Sequence, residues 1–347
     1  MKPVKVLIVD DSTTMRHLIR FRLRSDARIE VVGEASNAEE ARAAISRLSP
    51  DVLTLDVEMP GLSGLDFLRE LMRTRPLPVI MVSSETQKGS SAAIEALSRG
   101  AVDCIGKPRR DDAGNAFAGL AALVVGAASA NLRKRETGAP PAAAPTRDFQ
   151  WNNRIVLIGS STGGVDALEQ ICAGLPANCP PVLITQHMPQ GFLASFAQRM
   201  DSLCAPRIML AEDHAPIEQG TVQIAPGGDF HLAVATGLRP RCRLLATARV
   251  SGHRPSVDVL FESALPLAGR IVAAILTGMG SDGARGMLAL RQRGAICLAQ
   301  DQASSVVWGM PRIAWETGAA ERLVPLGAMA SELILATERR ARAARGA

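Results

Sequence analysis

The chain has 347 residues, of which 47% are hydrophobic, 21% charged and 3% aromatic, with no tyrosine. That length allows two ordinary domains with separate cores, and the balance excludes a disordered or fibrous chain. The formal charge of +5 is spread along the sequence, much of it in Arg133 to Arg135 and the terminal ERRARAARGA. Without interleaved aromatics, this basic excess argues against a nucleic-acid track. The six cysteines (104, 172, 179, 204, 242 and 297) form no CxxC pair and no metal-ligand spacing, which suits a reducing compartment. No run approaches the roughly 20 apolar residues of a spanning helix, and MKPVKVLIVDD holds no signal-length stretch. A cytoplasmic protein without membrane insertion is expected.

From the N-terminus, five strand-like runs alternate with helical ones: KVLIVD (5–10), IEVVGEA (29–35), DVLTLD (51–56), PVIMVSS (78–84) and AVDCIG (101–106). The intervening TMRHLIRFRLR, AEEARAAISRL and GLDFLRELMRT carry helical spacing. Alternation of this kind predicts a five-stranded parallel sheet, doubly wound with helices on both faces. Ligands of such sheets bind beyond the carboxyl ends of the strands. Asp10 and Asp11 follow the first strand and Asp56 ends the third, so three acids converge at one edge. Three carboxylates repel one another unless a cation sits among them, and hard oxygen ligands suit Mg²⁺. Ser83 and Lys107, at the ends of the fourth and fifth strands, add a hydroxyl and an ammonium that could both bind a phosphoryl group.

This set, with LTLDVEMPGLSGLDFL around Asp56 and the pair Lys107–Pro108, resembles the receiver domain of two-component response regulators over roughly residues 3–125. The resemblance implies a flavodoxin-like fold. It further implies that Asp56 accepts a phosphoryl group from a histidine kinase, that Asp10, Asp11 and Asp56 hold Mg²⁺, and that Ser83 and Lys107 bind the phosphoryl group. Cys104 stands where many receivers carry an aromatic switch residue.

A receiver domain over 1–125 is thus expected, then a helix end and Pro/Ala-rich linker over 126–151 that includes TGAPPAAAPTRD, then a catalytic domain over 152–347. The second domain again alternates: RIVLIG (154–159), PVLITQ (181–186), RIVAAILTG (270–278) and GAICLAQD (294–301). TVQIAPGGDFHLAVA between them reads as a hairpin with a GGD turn, adding an antiparallel part to a mostly parallel, doubly wound sheet.

The first turn of this domain, IGSSTGG (158–164), fits neither phosphate cradle, because GxGxxG needs glycine where Ser161 stands and GxxxxGK[ST] needs a lysine. It does fit G-x-S-x-G, a tight strand-to-helix turn that exposes a serine beside backbone N–H groups. A serine needs a base. His187 ends the neighbouring strand-like run, whereas His214 and His253 lie in loop-like segments and His231 on a hairpin strand. Asp282, in the glycine-rich turn after RIVAAILTG, could orient His187, or could instead cap the helix that begins ARGMLALRQR.

The motifs IGSSTGG, ITQHMPQGF, IAPGGDFHL, RPSVDVLFES and ILTGMGSDGARGM make the whole chain similar to the chemotaxis-specific protein-glutamate methylesterases, the CheB family. The resemblance implies hydrolysis of glutamate methyl esters on cytoplasmic domains of chemoreceptors, and glutamine deamidation, by a Ser161–His187–Asp282 triad that uses no cofactor. Backbone N–H groups of Thr162 and Met279 would bind the oxyanion. The unphosphorylated receiver is expected to limit access to that site. Against this stand a catalytically silent receptor-binding module, a DNA-acting regulator and a receiver-gated esterase of small molecules. No triad member is missing, and no short basic helix-turn-helix follows the linker.

Overall fold

The computed structural model describes residues 2–84, 86–108, 116–132 and 149–339. Residues 133–148 of the expected linker, with the basic run at Arg133 and most of the terminal ERRARAARGA, lie outside the described residues. The chain divides into two compact units, one holding the first five strands and the other the remaining strands.

In the first unit, β1 (Val4–Val9), β2 (Ile29–Ala35), β3 (Val52–Asp56), β4 (Val79–Ser83) and β5 (Asp103–Gly106) form a parallel sheet in the order β2-β1-β3-β4-β5. This is the flavodoxin-like order of a doubly wound sheet. Helices α1 (Thr13–Arg24), α2 (Ala38–Leu48), α3 (Gly64–Thr74), α4 (Gln87–Ser98) and α5 (Leu120–Ala127) cover it. The central strands β1, β3 and β4 are rich in Val, Ile and Leu because both faces are covered, and every residue of β3 and β4 is buried. Ser12, Asn37 and Ser63 begin the first three helices, each accepting a backbone N–H from the first turn. Cys104 is buried within β5, opposite Met81 of β4.

Beyond the first five strands the chain runs β6 (Ile155–Ser160), α6 (Gly164–Ala173), β7 (Val182–Gln186), α7 (Gln190–Leu203), β8 (Arg207–Leu210), β9 (Thr221–Ile224), β10 (His231–Ala235) and β11 (Arg241–Leu245). It continues through α8 (Val257–Ser263), β12 (Ile271–Ile275), α9 (Ala284–Gln292), β13 (Ile296–Gln300), α10 (Met310–Glu316), β14 (Arg322–Val324) and α11 (Leu326–Thr337). Seven strands form one sheet in the order β14-β13-β12-β6-β7-β9-β8, parallel throughout.

The predicted hairpin is misplaced. Its first half, β9, is flanked on both sides by parallel partners, β7 and β8, so no edge is open for an antiparallel neighbour. Gly227 and Gly228, both with positive φ, carry the chain out of the sheet. The second half, β10, pairs antiparallel with β11 in a separate two-stranded ribbon, and its Val234 N–H donates to Ser263 Oγ of α8.

Chain order reverses between β6 and β12: β7 follows on one side of β6, and β13 and β14 lie beyond β12 on the other. That reversal opens a crevice at the carboxyl ends of the strands, where such folds bind ligands. No helix among the described residues is long and apolar enough to cross a membrane.

Candidate active site and phosphoacceptor pocket

At the carboxyl edge of the first sheet, carboxylate oxygens of Asp10, Asp11 and Asp56 all lie within 4.8 Å of one another. Asp10 and Asp56 are buried and Asp11 is exposed. Lys107 Nζ donates to Asp56 Oδ2 at 2.7 Å and lies 3.5 Å from Asp10 Oδ2. Beyond that ion pair, the buried Asp10 Oδ2 accepts no hydrogen bond. That donor set fits a hard divalent cation, which would supply the missing partner. Ser83 is buried at the end of β4, and its Oγ donates to Gly89 O at 2.9 Å. The five predicted positions therefore meet at one edge, with the Ser83 hydroxyl engaged by the chain itself.

Burial pushes the Asp56 carboxyl up to about 6, and the neighbouring Asp10 adds to this against the hydrogen bond from Lys107. Burial likewise raises Asp10. A carboxyl raised on folding favours the folded state below its unfolded value, and that contribution is lost as pH climbs through the folded one. The metal-free receiver unit is therefore expected to lose stability between pH 3.8 and about 6. Asp56→Asn should lessen the loss by about 2 kcal/mol, as read from denaturation midpoints across that window. An identical pH slope in the variant would show that Asp56 does not carry the effect.

In the second unit, the parallel register of β6 and β7 places Ser160 beside Gln186, so the next residues, Ser161 and His187, begin the two outgoing turns. Ser161 N–H donates to Thr277 O beyond β12, tying the turn to both neighbouring strands. Gly278 lies so close that a Cβ there would be 2.7 Å from Ser161 Cβ and 2.5 Å from Met310 Sδ, so only glycine fits. Ser161 Oγ has no hydrogen-bond partner among the described residues.

His187 Nε2 lies 2.8 Å from Asp282 Oδ2, while its Nδ1 is buried and unpartnered. Because Asp282 accepts at Nε2–H, Nδ1 is the ring nitrogen left with a lone pair for a serine proton. Asp282 does not cap α9, which starts after Gly283. Its carboxylate instead accepts from Ser256 Oγ (2.8 Å), Val257 N (2.7 Å) and Asp258 N (3.2 Å), at the start of α8. Burial alone would raise its pKa, but the hydrogen bonds from His187, Val257 and Ser256 outweigh burial and hold it below the usual aspartate value.

His253 stacks on His187 with ring centroids 3.7 Å apart and planes 3° apart, a contact no sequence spacing announces. Burial, reinforced by His187, lowers its pKa to about 4, which keeps it neutral at physiological pH. His231 is held between Ser256 N–H and Ala248 O, and His214 lies exposed beside Arg243, so neither joins the cluster. Thr162 is buried, its carbonyl accepting from Thr277 Oγ1. Met279 is half-buried after Gly278, and its N–H carries no hydrogen bond among the described residues.

The first unit thus carries an acidic strand edge completed by Lys107, and the second a serine turn next to the strand end that bears the His187–Asp282 pair. Residues 6–116 match the response regulator receiver domain and residues 156–333 the CheB methylesterase family. A protein-glutamate methylesterase/protein-glutamine glutaminase from Agrobacterium fabrum is 50% identical over 342 residues, covering 97% of each chain. A protein so named from Caulobacter vibrioides is 52% identical over 346 residues, covering 98% of this chain and all of its own. The CheB methylesterase catalytic domain of Thermotoga maritima superposes with a TM-score of 0.51 at 38% identity, covering 53% of this chain and 98% of that one. The chain belongs to the CheB methylesterase family and carries a receiver domain.

Proposed function

We propose that this chain is a receiver-controlled protein-glutamate methylesterase and protein-glutamine glutaminase acting on cytoplasmic domains of chemoreceptors, with Ser161 as nucleophile. The observation that carries the catalytic reading is His187, its Nε2 bonded to the Asp282 carboxylate and its Nδ1 left without a partner, at the end of the strand that pairs with the one leading into Ser161.

As Ser161 Oγ attacks the ester carbonyl, His187 Nδ1 takes its proton and then passes it to the leaving methoxide, releasing methanol. Water, deprotonated in the same way, hydrolyses the acyl-enzyme to leave a glutamate carboxylate. With a glutamine substrate the leaving group is ammonia. Asp282 holds the ring tautomer and stabilises the imidazolium. The N–H groups of Thr162 and Met279 are proposed as donors to the oxyanion, each worth about 3 kcal/mol. In the receiver, Asp56 is the proposed phosphoacceptor for a histidine kinase, with Asp10, Asp11 and Asp56 binding Mg²⁺. The cation supplies charge neutralisation for phosphoryl transfer. Lys107 and Ser83 would bind the phosphoryl oxygens, Ser83 after releasing Gly89 O.

The test is methanol release from a methylated chemoreceptor, with and without a small phosphodonor and Mg²⁺. Release that rises at least several-fold with phosphodonor, and no longer rises in Asp56→Asn, is the expected result. No methanol from the methylated receptor under either condition would overturn the reading.

A further inference from the structure

The serine pair leaves one hydroxyl, Ser160, outside the catalytic reading. Ser160 is fully buried, and its Oγ donates to Gln186 Oε1 at 2.6 Å. The Gln186 amide nitrogen donates to two carbonyls, that of Ser161 at 2.9 Å and that of His187 at 3.1 Å. Since both are acceptors only, the nitrogen end of the amide must face them, its oxygen must face Ser160, and Ser160 must be the donor. Every polar atom of a side chain only 2% exposed is thereby satisfied.

We propose that Gln186, oriented by Ser160, is a positioning residue that sets the separation of Ser161 from His187. This rests on the reading of those two residues as nucleophile and base. The last rung of the β6–β7 ladder is His187 N–H to Ser160 O at 3.0 Å. Beyond it the strands part, and no backbone hydrogen bond among the described residues joins Ser161 to His187. The Gln186 amide bridges that gap by holding both carbonyls at once. It fits without slack, because a Cβ on Gly164 would lie 2.1 Å from Gln186 Oε1, which explains the second glycine of the STGG turn. The same network separates the two serines: the Ser160 proton is committed to Gln186, leaving Ser161 free to give its proton to His187.

The test uses the full-length protein as wild type, Gln186→Met, Ser160→Ala and the double variant. Each is measured by the rate of Ser161 labelling with a fluorophosphonate across pH, and by kcat and KM on methylated receptor. Rates are scaled to the folded fraction, and phosphorylation of the receiver serves as a control. Gln186→Met is expected to lower kcat and the plateau labelling rate about 10²-fold, with KM within about 2-fold and an unchanged pH midpoint. Ser160→Ala should lower both rates about 5-fold, and the double variant should be no slower than Gln186→Met, because the two act through one network. A wild-type plateau rate per folded molecule in both single variants would overturn the proposal. If Gln186→Met does not fold, a wild-type rate in Ser160→Ala is sufficient to do so. Absence of label on Ser161 in the wild type would refute the nucleophile itself, a failure of the underlying reading rather than of the positioning.

Discussion

Ser161→Ala is expected to lower methanol release from methylated receptor about 10⁶-fold, to the level left by binding and oxyanion donors alone. The hydroxyl follows β6 between the β7 and β12 edges, and removing it deletes the proposed nucleophile. Folding should be untouched, since Ser161 Oγ makes no hydrogen bond among the described residues, and phosphorylation of Asp56 should proceed at the wild-type rate. Ser160→Ala provides the internal comparison, with its loss confined to about 5-fold. Activity that survives in Ser161→Ala and disappears in Ser160→Ala would exchange the roles of the two serines and refute the mechanism.

Asp282→Asn is expected to cost about 10⁴-fold in kcat. All four partners of this carboxylate are donors: His187 Nε2–H, Ser256 O–H and the N–H groups of Val257 and Asp258. An asparagine offers one acceptor oxygen and turns an NH₂ toward the rest. If that NH₂ faces His187, the imidazole must carry its proton on Nδ1, where it cannot accept from serine. Stability should also fall by about 1–2 kcal/mol, because the first N–H groups of α8 lose an acceptor in a buried place. The two effects separate by experiment: kcat measured well below the variant's unfolding midpoint reports the tautomer, and the midpoint reports the cap. A kcat within about 10-fold of wild type would rule out Asp282 as the group that orients the base.

Much of the fold was legible along the chain. The central strands of the first unit are short runs rich in Val, Ile and Leu, and β2 covers the residues 29–35 expected for it. The acids and Lys107 were visible because each stands at the end of such a run. Three short strands were not: β8 (RIML), β11 (RCRLL) and β14 (RLV) are only partly buried, so they lack the continuous apolar signal of a central strand. The GGD turn misled for a different reason. Two consecutive left-handed residues suit a tight hairpin, yet they equally let a chain leave a sheet whose edge is already taken.

Local pattern was enough to establish two α/β units, an acidic edge on the first and a G-x-S-x-G turn with His187 and Asp282 as candidates on the second, since strand ends and glycine turns are short-range properties. Tertiary structure decided how those groups act. It bonded Asp282 to His187 across 95 positions, turned the same carboxylate onto α8 rather than α9, and laid the His253 ring on His187. It also committed Ser160 to Gln186, 26 residues away. Each of these is a contact between distant segments of the chain, set by sheet order and register and therefore carried by no spacing in the sequence.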